Sequence, residues 1–350
     1  MKILVLGGGA QGRVIARDLA RSLRDAQVTV ADLTQATLPA LDNLAWVEAD
    51  LSDAATIARL LHDYDLGVGA LPSRLGHGAM KAAIEAKRNL VDVSFAAEDA
   101  LVLDGPARAA GITIAPDCGL APGLSHLLVG HLVARGGTPD EVMIMVGGVA
   151  EDSTRPYGYV VSWSLDDLLE EYTRPARIIR GGLLAEVQPL GGLERVQIDG
   201  VGEMEAFYSD GLRTLLKTLP GVTEMVEKTL RWPGHVEAIR PLLAEDLLVE
   251  EFRRRCAASP ARDLVAMSVR LRWGETRREA TLVDFYDDKI GLTAMSRTTA
   301  FTTSVVAQLA ARGKLKHKGI QPLERVAADE QAYRFIVDQM AARGVQLKGA

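Results

Sequence analysis

Two short stretches place a carboxylate where an amine could meet it: "VDVSF", carrying Asp92, and "PDCGLAPG", carrying Asp117. A carboxylate at the end of a strand can hold a cationic amine or take its proton. Each residue taken singly is as well explained as a helix cap or a loop acceptor, so the pair, more than either member, is the candidate for acid–base work. A third stretch, "TLRWPGH", offers Arg231 and His235. A guanidinium grips a carboxylate with two parallel hydrogen bonds, and a nearby histidine can donate or shuttle a proton. The structural alternatives are an interdomain ion pair for Arg231 and a hydrogen-bonded turn histidine for His235, and they weigh equally. Arg155 and Arg174 are held in reserve.

Tyr157, Tyr159, Trp163 and Tyr172 form a dense group in a chain with 5% aromatic residues. Such rings can line a sleeve around an aliphatic side chain, although at this spacing they more often build a core or a dimer contact. Trp163 and Tyr172 are kept as substrate-binding candidates. Cys118 needs no role beyond that of a small buried apolar residue.

The N-terminus supplies a partner for this chemistry. "MKILVLGGGAQGRVIARDLARSL" reads as strand, tight turn and helix, with Val14, Ile15, Leu19 and Leu23 at helical spacing. Gly7, Gly9 and Gly12 satisfy G-x-G-x-x-G, in which the glycines make the turn, admit a pyrophosphate and let helix pack on strand. Ala10 and Gln11 complete the loop, and the helix N-terminus attracts phosphate. The next apolar run, "AQVTVAD", ends in Asp32, about twenty residues on, where the fingerprint expects an acid for the ribose hydroxyls. A 2′-phosphate would meet a like charge there, and no Arg or Lys follows before Arg59, so NAD is expected over NADP. Asp50, after the third strand, and Ala70, Leu71 and Pro72, after the fourth, complete the expected cofactor-binding set.

These residues need a scaffold that aligns strand ends. "LAWVEAD", "DLGVGALP", "NLVDVS" and "ITIAPDCG" continue the strand series, with helices expected from about 53 to 62, 76 to 87 and 97 to 110. Alternation of this kind implies an α/β fold, a parallel sheet covered on both faces, with ligands beyond the carboxyl ends of its strands. From about Gly123 the texture changes: a helix from 124 to 135, then "EVMIMVGGV", "DLVAMSVRLRWG" and "REATLVDFYDD", which alternate as antiparallel strands do. The expected organisation is a Rossmann NAD-binding domain over 1–122 and a second, α+β substrate-binding and oligomerisation domain over 123–297. The helical segment from 298 to 350 either closes the second domain or returns to the first. Such a pairing commonly sets the nicotinamide in an interdomain cleft.

With 350 residues, 48% of them hydrophobic, the chain can bury sizeable cores. A net charge of −6 argues against nucleic acid or anionic lipid as partner, and "KLKHK" at 314–318 reads as a solvated helix end. No apolar run reaches bilayer length, and the first strand begins at residue 2, so neither a membrane span nor a signal peptide is expected. Cys118 and Cys256 stand too far apart for a C-x-x-C site, which suits the reducing cytoplasm. His126 and His131 splay on their helix and H-E-x-x-H is missing, so no metal is expected. Y-x-x-x-K, a Walker A loop and G-x-S-x-G are missing too.

"PDCGLAPGLSH", "YTRPARIIRGG", "TLRWPGH" and "MSRTTAFTTSVVAQL", in this order behind the glycine turn, resemble the saccharopine dehydrogenase superfamily, and within it most the L-lysine 6-dehydrogenases. The resemblance runs along nearly the whole chain and extends to Trp163, which is similar to a bulky pocket residue of the family. Condensing members, the saccharopine reductases and carboxynorspermidine dehydrogenases, typically carry Asp where this chain has Ala121. The resemblance implies oxidative deamination of an amino-acid substrate: the ammonium loses a proton, hydride passes to nicotinamide, and water releases ammonia. For lysine the product would be allysine, cyclising to a piperideine carboxylate. It also implies a homodimer or larger homo-oligomer. A condensing oxidoreductase and an NAD-binding sensor without turnover are the rival readings.

Overall fold

The computed structural model describes residues 1–35 and 37–349. The chain divides into two compact units, one of Met1–Leu127 with Thr299–Arg343, the other of Leu128–Thr298 with Gly344–Ala350.

The first unit is built on seven parallel strands, in the order Gly319–Ile320, Thr113–Ala115, Asn89–Asp92, Leu66–Gly69, Lys2–Leu6, Gln27–Asp32 and Leu44–Glu48. Strand order reverses at Lys2–Leu6, which pairs with Gln27–Asp32 on one side and Leu66–Gly69 on the other. This is the doubly wound arrangement, whose crevice opens at the carboxyl ends of the strands. Central strands are buried on both faces, as the unbroken burial of Ile3 to Leu6 and Leu66 to Gly69 shows. Helix Ala10–Ser22 turns Val14, Ile15, Ala16, Leu19 and Ala20 inward. Helices Ala54–Leu61 and Ser73–Ala86 pack through Ile57, Leu61, Ala79 and Ala83 into the core containing Leu4, Leu6 and Leu90.

Two details differ from expectation. Helix Ser73–Ala86 starts directly after Pro72, three residues earlier than its apolar period suggests, because Pro72 itself occupies the cap position. The segment expected as one helix from 97 to 110 is a 3-10 turn, Ala100–Leu103, followed by the short helix Asp104–Ala109. The segment 299–343 belongs to this unit and supplies its seventh strand, Gly319–Ile320. Residues 344–350 belong to the other, where Leu347–Lys348 pairs with strand Thr276–Phe285.

The second unit carries a nine-stranded sheet. Its central run is Gly202–Tyr208, Glu224–Arg231, Glu141–Ala150, Asp263–Trp273 and Thr276–Phe285. The sheet is mixed: Glu141–Ala150 lies antiparallel to Asp263–Trp273 but parallel to Glu224–Arg231. Helices Leu165–Thr173, His235–Ala244 and Leu248–Arg255 contribute Leu168, Tyr172, Val236, Ile239 and Phe252 to a core with Tyr159 and Phe207. Among the described residues no helix is long and apolar enough to cross a membrane.

Candidate functional site

In the first unit the glycine turn has the geometry a dinucleotide needs. Gly7 adopts φ 102°, and a Cβ there would stand 2.5 Å from the carbonyl oxygen of Ala70. A Cβ on Gly12 would stand 1.9 Å from the carbonyl oxygen of Gly7, so only glycine lets helix Ala10–Ser22 sit this close to the turn. At Gly9 a Cβ would meet nothing within 4 Å, so backbone faces open space where a phosphate would approach. No side chain caps the helix and no acid lies in its first turn, which leaves its positive end available. The side-chain amide nitrogen and oxygen of Gln11 are both buried and without a partner. These features fit a dinucleotide.

Asp32, the last residue of its strand, reaches across the turn. Its Oδ2 accepts from Gly8 N at 2.6 Å and its Oδ1 from Thr34 N at 3.1 Å. The carboxylate is thereby oriented while lone pairs remain for ribose hydroxyls. Asp50 accepts from Ser52 N at 2.9 Å, and the Ser52 hydrogen bonds hold its carboxyl below the usual range. Ala70, Leu71 and Pro72 follow strand Leu66–Gly69, with Ala70 N donating to Leu6 O at 2.8 Å.

The same sheet edge carries Asp92, fully buried at the end of strand Asn89–Asp92. Its Oδ2 accepts from Ser94 N at 3.0 Å and from the Ser94 hydroxyl, whereas its buried Oδ1 has no partner. Burial pushes its pKa up to about 7, partly offset by the Ser94 hydrogen bonds and reinforced by Asp117. Asp117 is buried as well, in left-handed backbone at φ 54°. Between them, Cys118 N donates to Asp92 O at 2.8 Å, and burial with the two carboxylates drives its thiol pKa well up. The structure thus brings Asp92 and Asp117 together.

A second cluster lies within the other unit. Arg231, at 2% exposure, donates from Nε to Tyr172 Oη at 2.8 Å, from Nη1 to Leu230 O at 2.9 Å and from Nη2 to Glu171 Oε1 at 2.9 Å. Its guanidinium lies over the rings of Tyr159 and Tyr172, each 5.4 Å away. Its charge is met inside the unit by Glu171, and one N–H on Nη1 and one on Nη2 stay uncommitted. His235 Nδ1 lies 2.7 Å from Tyr157 O, which can only accept, so Nδ1 carries the hydrogen and Nε2 accepts from Tyr172 Oη at 2.9 Å. Burial and the Arg231 charge lower the His235 pKa to about 3. Both ring nitrogens are engaged and the ring is neutral near pH 7. Trp163 Nε1 donates to Tyr159 Oη at 2.8 Å. An open pocket lined by Ser153, Tyr157, Gly158, Trp232, Gly234 and His235 adjoins the cluster.

Two residues not foreseen from spacing support it. Glu205, buried on strand Gly202–Tyr208, accepts from Gly234 N at 2.8 Å and Val236 N at 2.6 Å, anchoring the start of helix His235–Ala244. Glu171 neighbours Tyr172 in sequence and neutralises Arg231. Of the reserve arginines, Arg174 pairs with Glu170 at 2.9 Å. Among the described residues no three His, Cys, Asp or Glu side chains could hold a metal ion together.

Comparison with known proteins places these features. The family described as the saccharopine dehydrogenase NADP binding domain matches residues 3–115, and that described as the saccharopine dehydrogenase C-terminal domain matches residues 119–345. The NADP(+), L-glutamate-forming saccharopine dehydrogenase of Saccharomyces cerevisiae is 27% identical over 71% of this chain and 59% of its own length. Its counterpart in Schizosaccharomyces pombe is 25% identical over 80% of this chain and 66% of its own length. The chain therefore spans about two thirds or less of the length of these relatives. The solved structure of apo, L-Glu-forming saccharopine dehydrogenase from Saccharomyces cerevisiae superposes with a TM-score of 0.75 at 19% identity, covering 99% of this chain and 98% of the other, a likeness of fold. With both of its units matched, the chain belongs to the saccharopine dehydrogenase family.

Proposed function

We propose that this chain is an NAD-dependent amino-acid dehydrogenase that oxidises the ε-amine of L-lysine to allysine, which cyclises to piperideine-6-carboxylate, with release of ammonia. The observation that carries the reading is Asp92: a buried carboxyl poised near neutrality, with one oxygen unpartnered, at a strand end of a dinucleotide-binding sheet. A base of this kind suits removal of a proton from a substrate ammonium at neutral pH.

Gly7, Gly9, Ala10, Gln11 and Gly12 would hold the pyrophosphate, and Asp32 the adenosine ribose. Asp50, Ala70, Leu71 and Pro72 would line the rest of the cofactor's path. When bound, the oxidised nicotinamide supplies the hydride acceptor. Asp92 Oδ1 takes the ammonium proton, and the neighbouring charge of Asp117 favours the cationic amine before the proton leaves. Taken by itself, the other unit offers Arg231, its plane fixed by Tyr172 and Glu171, as the proposed group for a carboxylate and Trp163 as the proposed neighbour of an aliphatic chain. Asp32 supports NAD, since its oriented carboxylate opposes a 2′-phosphate. Ala121 supports deamination, as the condensing branch typically carries Asp there. The buried, unpaired Cys118 and Cys256 suit a reducing cytoplasm, and a homodimer is the arrangement symmetry favours.

A second reading is favoured by the curated relatives, which are named for NADP and saccharopine. Incubation with each dinucleotide and with L-lysine or L-saccharopine separates the two. Reduced NAD with ammonia from lysine supports deamination. Reduced NADP from saccharopine alone, without ammonia, replaces it with the saccharopine reaction.

A further inference from the structure

Among the described residues, Ser94 is the one whose side chain hydrogen-bonds the Asp92 carboxylate, and it does so on one oxygen. Its backbone N–H and its hydroxyl both donate to Oδ2, and the buried Oδ1 has no hydrogen-bond partner. The backbone of two neighbouring glycines packs closely against the pair. A Cβ on Gly69 would stand 1.9 Å from Asp92 Oδ1, and a Cβ on Gly76 would stand 1.8 Å from Ser94 Oγ. Both glycines have thus ceded their side-chain volume to the Asp92–Ser94 pair, Gly69 from the adjacent strand and Gly76 from helix Ser73–Ala86.

We propose that Ser94 is a positioning residue for the reaction: it saturates Asp92 Oδ2, so that Oδ1 receives the substrate proton, and it sets how readily the carboxyl gives that proton up. This rests on the reading of Asp92 as the base. Two donors aimed at one oxygen stabilise the carboxylate and oppose the burial that favours the neutral acid. Without the hydroxyl, burial acts with less opposition and the acid becomes weaker. The other groups that act on Asp92 do not replace Ser94. Asp117 repels the charge, and burial, with Asp92, Asp117 and Glu324, keeps the Cys118 sulfur as the neutral thiol. Burial, helped by the Lys81 charge and opposed by Glu98 and Asp99, lowers the pKa of His77, next to Gly76.

The test is a titration of the Asp92 carboxyl in the full chain, followed by 13C NMR of protein labelled at aspartate and assigned by the signal lost in Asp92→Asn. Needing neither substrate nor cofactor, it stays informative if the enzyme acts on some other amine. A charged hydrogen bond is worth about 1.5–3 kcal/mol, so Ser94→Ala should raise the midpoint by about one to two pH units. The acidic limb of kcat/KM should rise by the same amount while thermal unfolding near neutrality changes little. If Ser94→Ala is insoluble, Ser94→Cys, with a weak S–H donor of similar size, is titrated in its place and must move the same way. An unchanged or lowered midpoint overturns the inference. A raised midpoint in a protein that oxidises no amine upholds Ser94 and removes the proposed reaction.

Discussion

Arg231 donates from Nε to the phenol oxygen of Tyr172 at 2.8 Å, and this one bond sets the direction of a longer relay. With that oxygen accepting from the guanidinium, the Tyr172 hydroxyl turns its hydrogen to His235 Nε2, and His235 Nδ1 donates onward to the Tyr157 carbonyl. All the donors and acceptors are matched with a neutral imidazole. Tyr172→Phe breaks the relay at its centre and leaves Arg231 Nε and His235 Nε2 buried without partners. Equilibrium unfolding in urea should show a loss of about 1–3 kcal/mol, and a variant as stable as the parent would mean the relay is not formed.

His235 makes the second unit sensitive to acid. Its folded pKa of about 3 lies below the ordinary 6.5, so between those values the unfolded chain binds a proton that the folded chain does not. Stability therefore falls as pH drops through this window, by up to about 1.4 kcal/mol per pH unit from this group. His235→Gln keeps an acceptor for Tyr172 and cannot titrate. The stability difference between the two proteins, measured by urea unfolding at pH 7 and pH 4, should move toward the variant at the lower pH. A pH-independent difference would place the histidine in solvent.

Asp92 shifts the opposite way. Its pKa of about 7 lies above the ordinary 3.8, so the folded chain holds a proton between those values and this contribution to stability fades as pH rises through about 7. Activity has the inverse profile, because the base works only as the carboxylate: kcat/KM should climb through about pH 7. Asp92→Asn should lower kcat by about 10²–10⁴ and gain stability relative to the parent at pH 8. A variant with nearly normal turnover would move the base elsewhere, with Asp117 the next residue to replace.

The proposed preference for NAD rests on Asp32. Replacing it with serine removes the ribose acceptor and the like charge together, so NAD should bind about tenfold or more weakly while NADP gains. Titration of intrinsic fluorescence with each dinucleotide reads this directly. Equal loss of both would show that Asp32 only braces the turn through Gly8 and Thr34.

The parts of this molecule that are legible in its sequence are those whose requirements are local. Gly7 and Gly12 are forced by a turn and a helix a few residues apart, and Asp32 by the strand between, so a short window contains cause and effect. Strands such as Leu66–Gly69 declare themselves by an uncharged run, and the structure buries all four residues. Other features depend on partners far along the chain. Glu205 caps a helix that begins 30 residues later, and nothing in "GEMEAFY" distinguishes it from a solvated strand carboxylate. The ion pair of Glu171 with Arg231 spans 60 residues, and Gly69 and Gly76 acquire meaning only against Asp92 and Ser94. The seventh strand, Gly319–Ile320, is two residues long and too short to show a period. The parallel pairing of Glu141–Ala150 with Glu224–Arg231 is likewise invisible in strands whose alternation suits either direction.

The most direct measurement is NAD reduction followed at 340 nm with L-lysine, L-ornithine, L-saccharopine and simple diamines, with ammonia assayed in the same samples. NADH and ammonia are expected in equal amounts from L-lysine, with little reduction of NADP. Reduction by L-saccharopine without ammonia, or tight NAD binding with no reduction by any of these compounds, would contradict the proposed deamination.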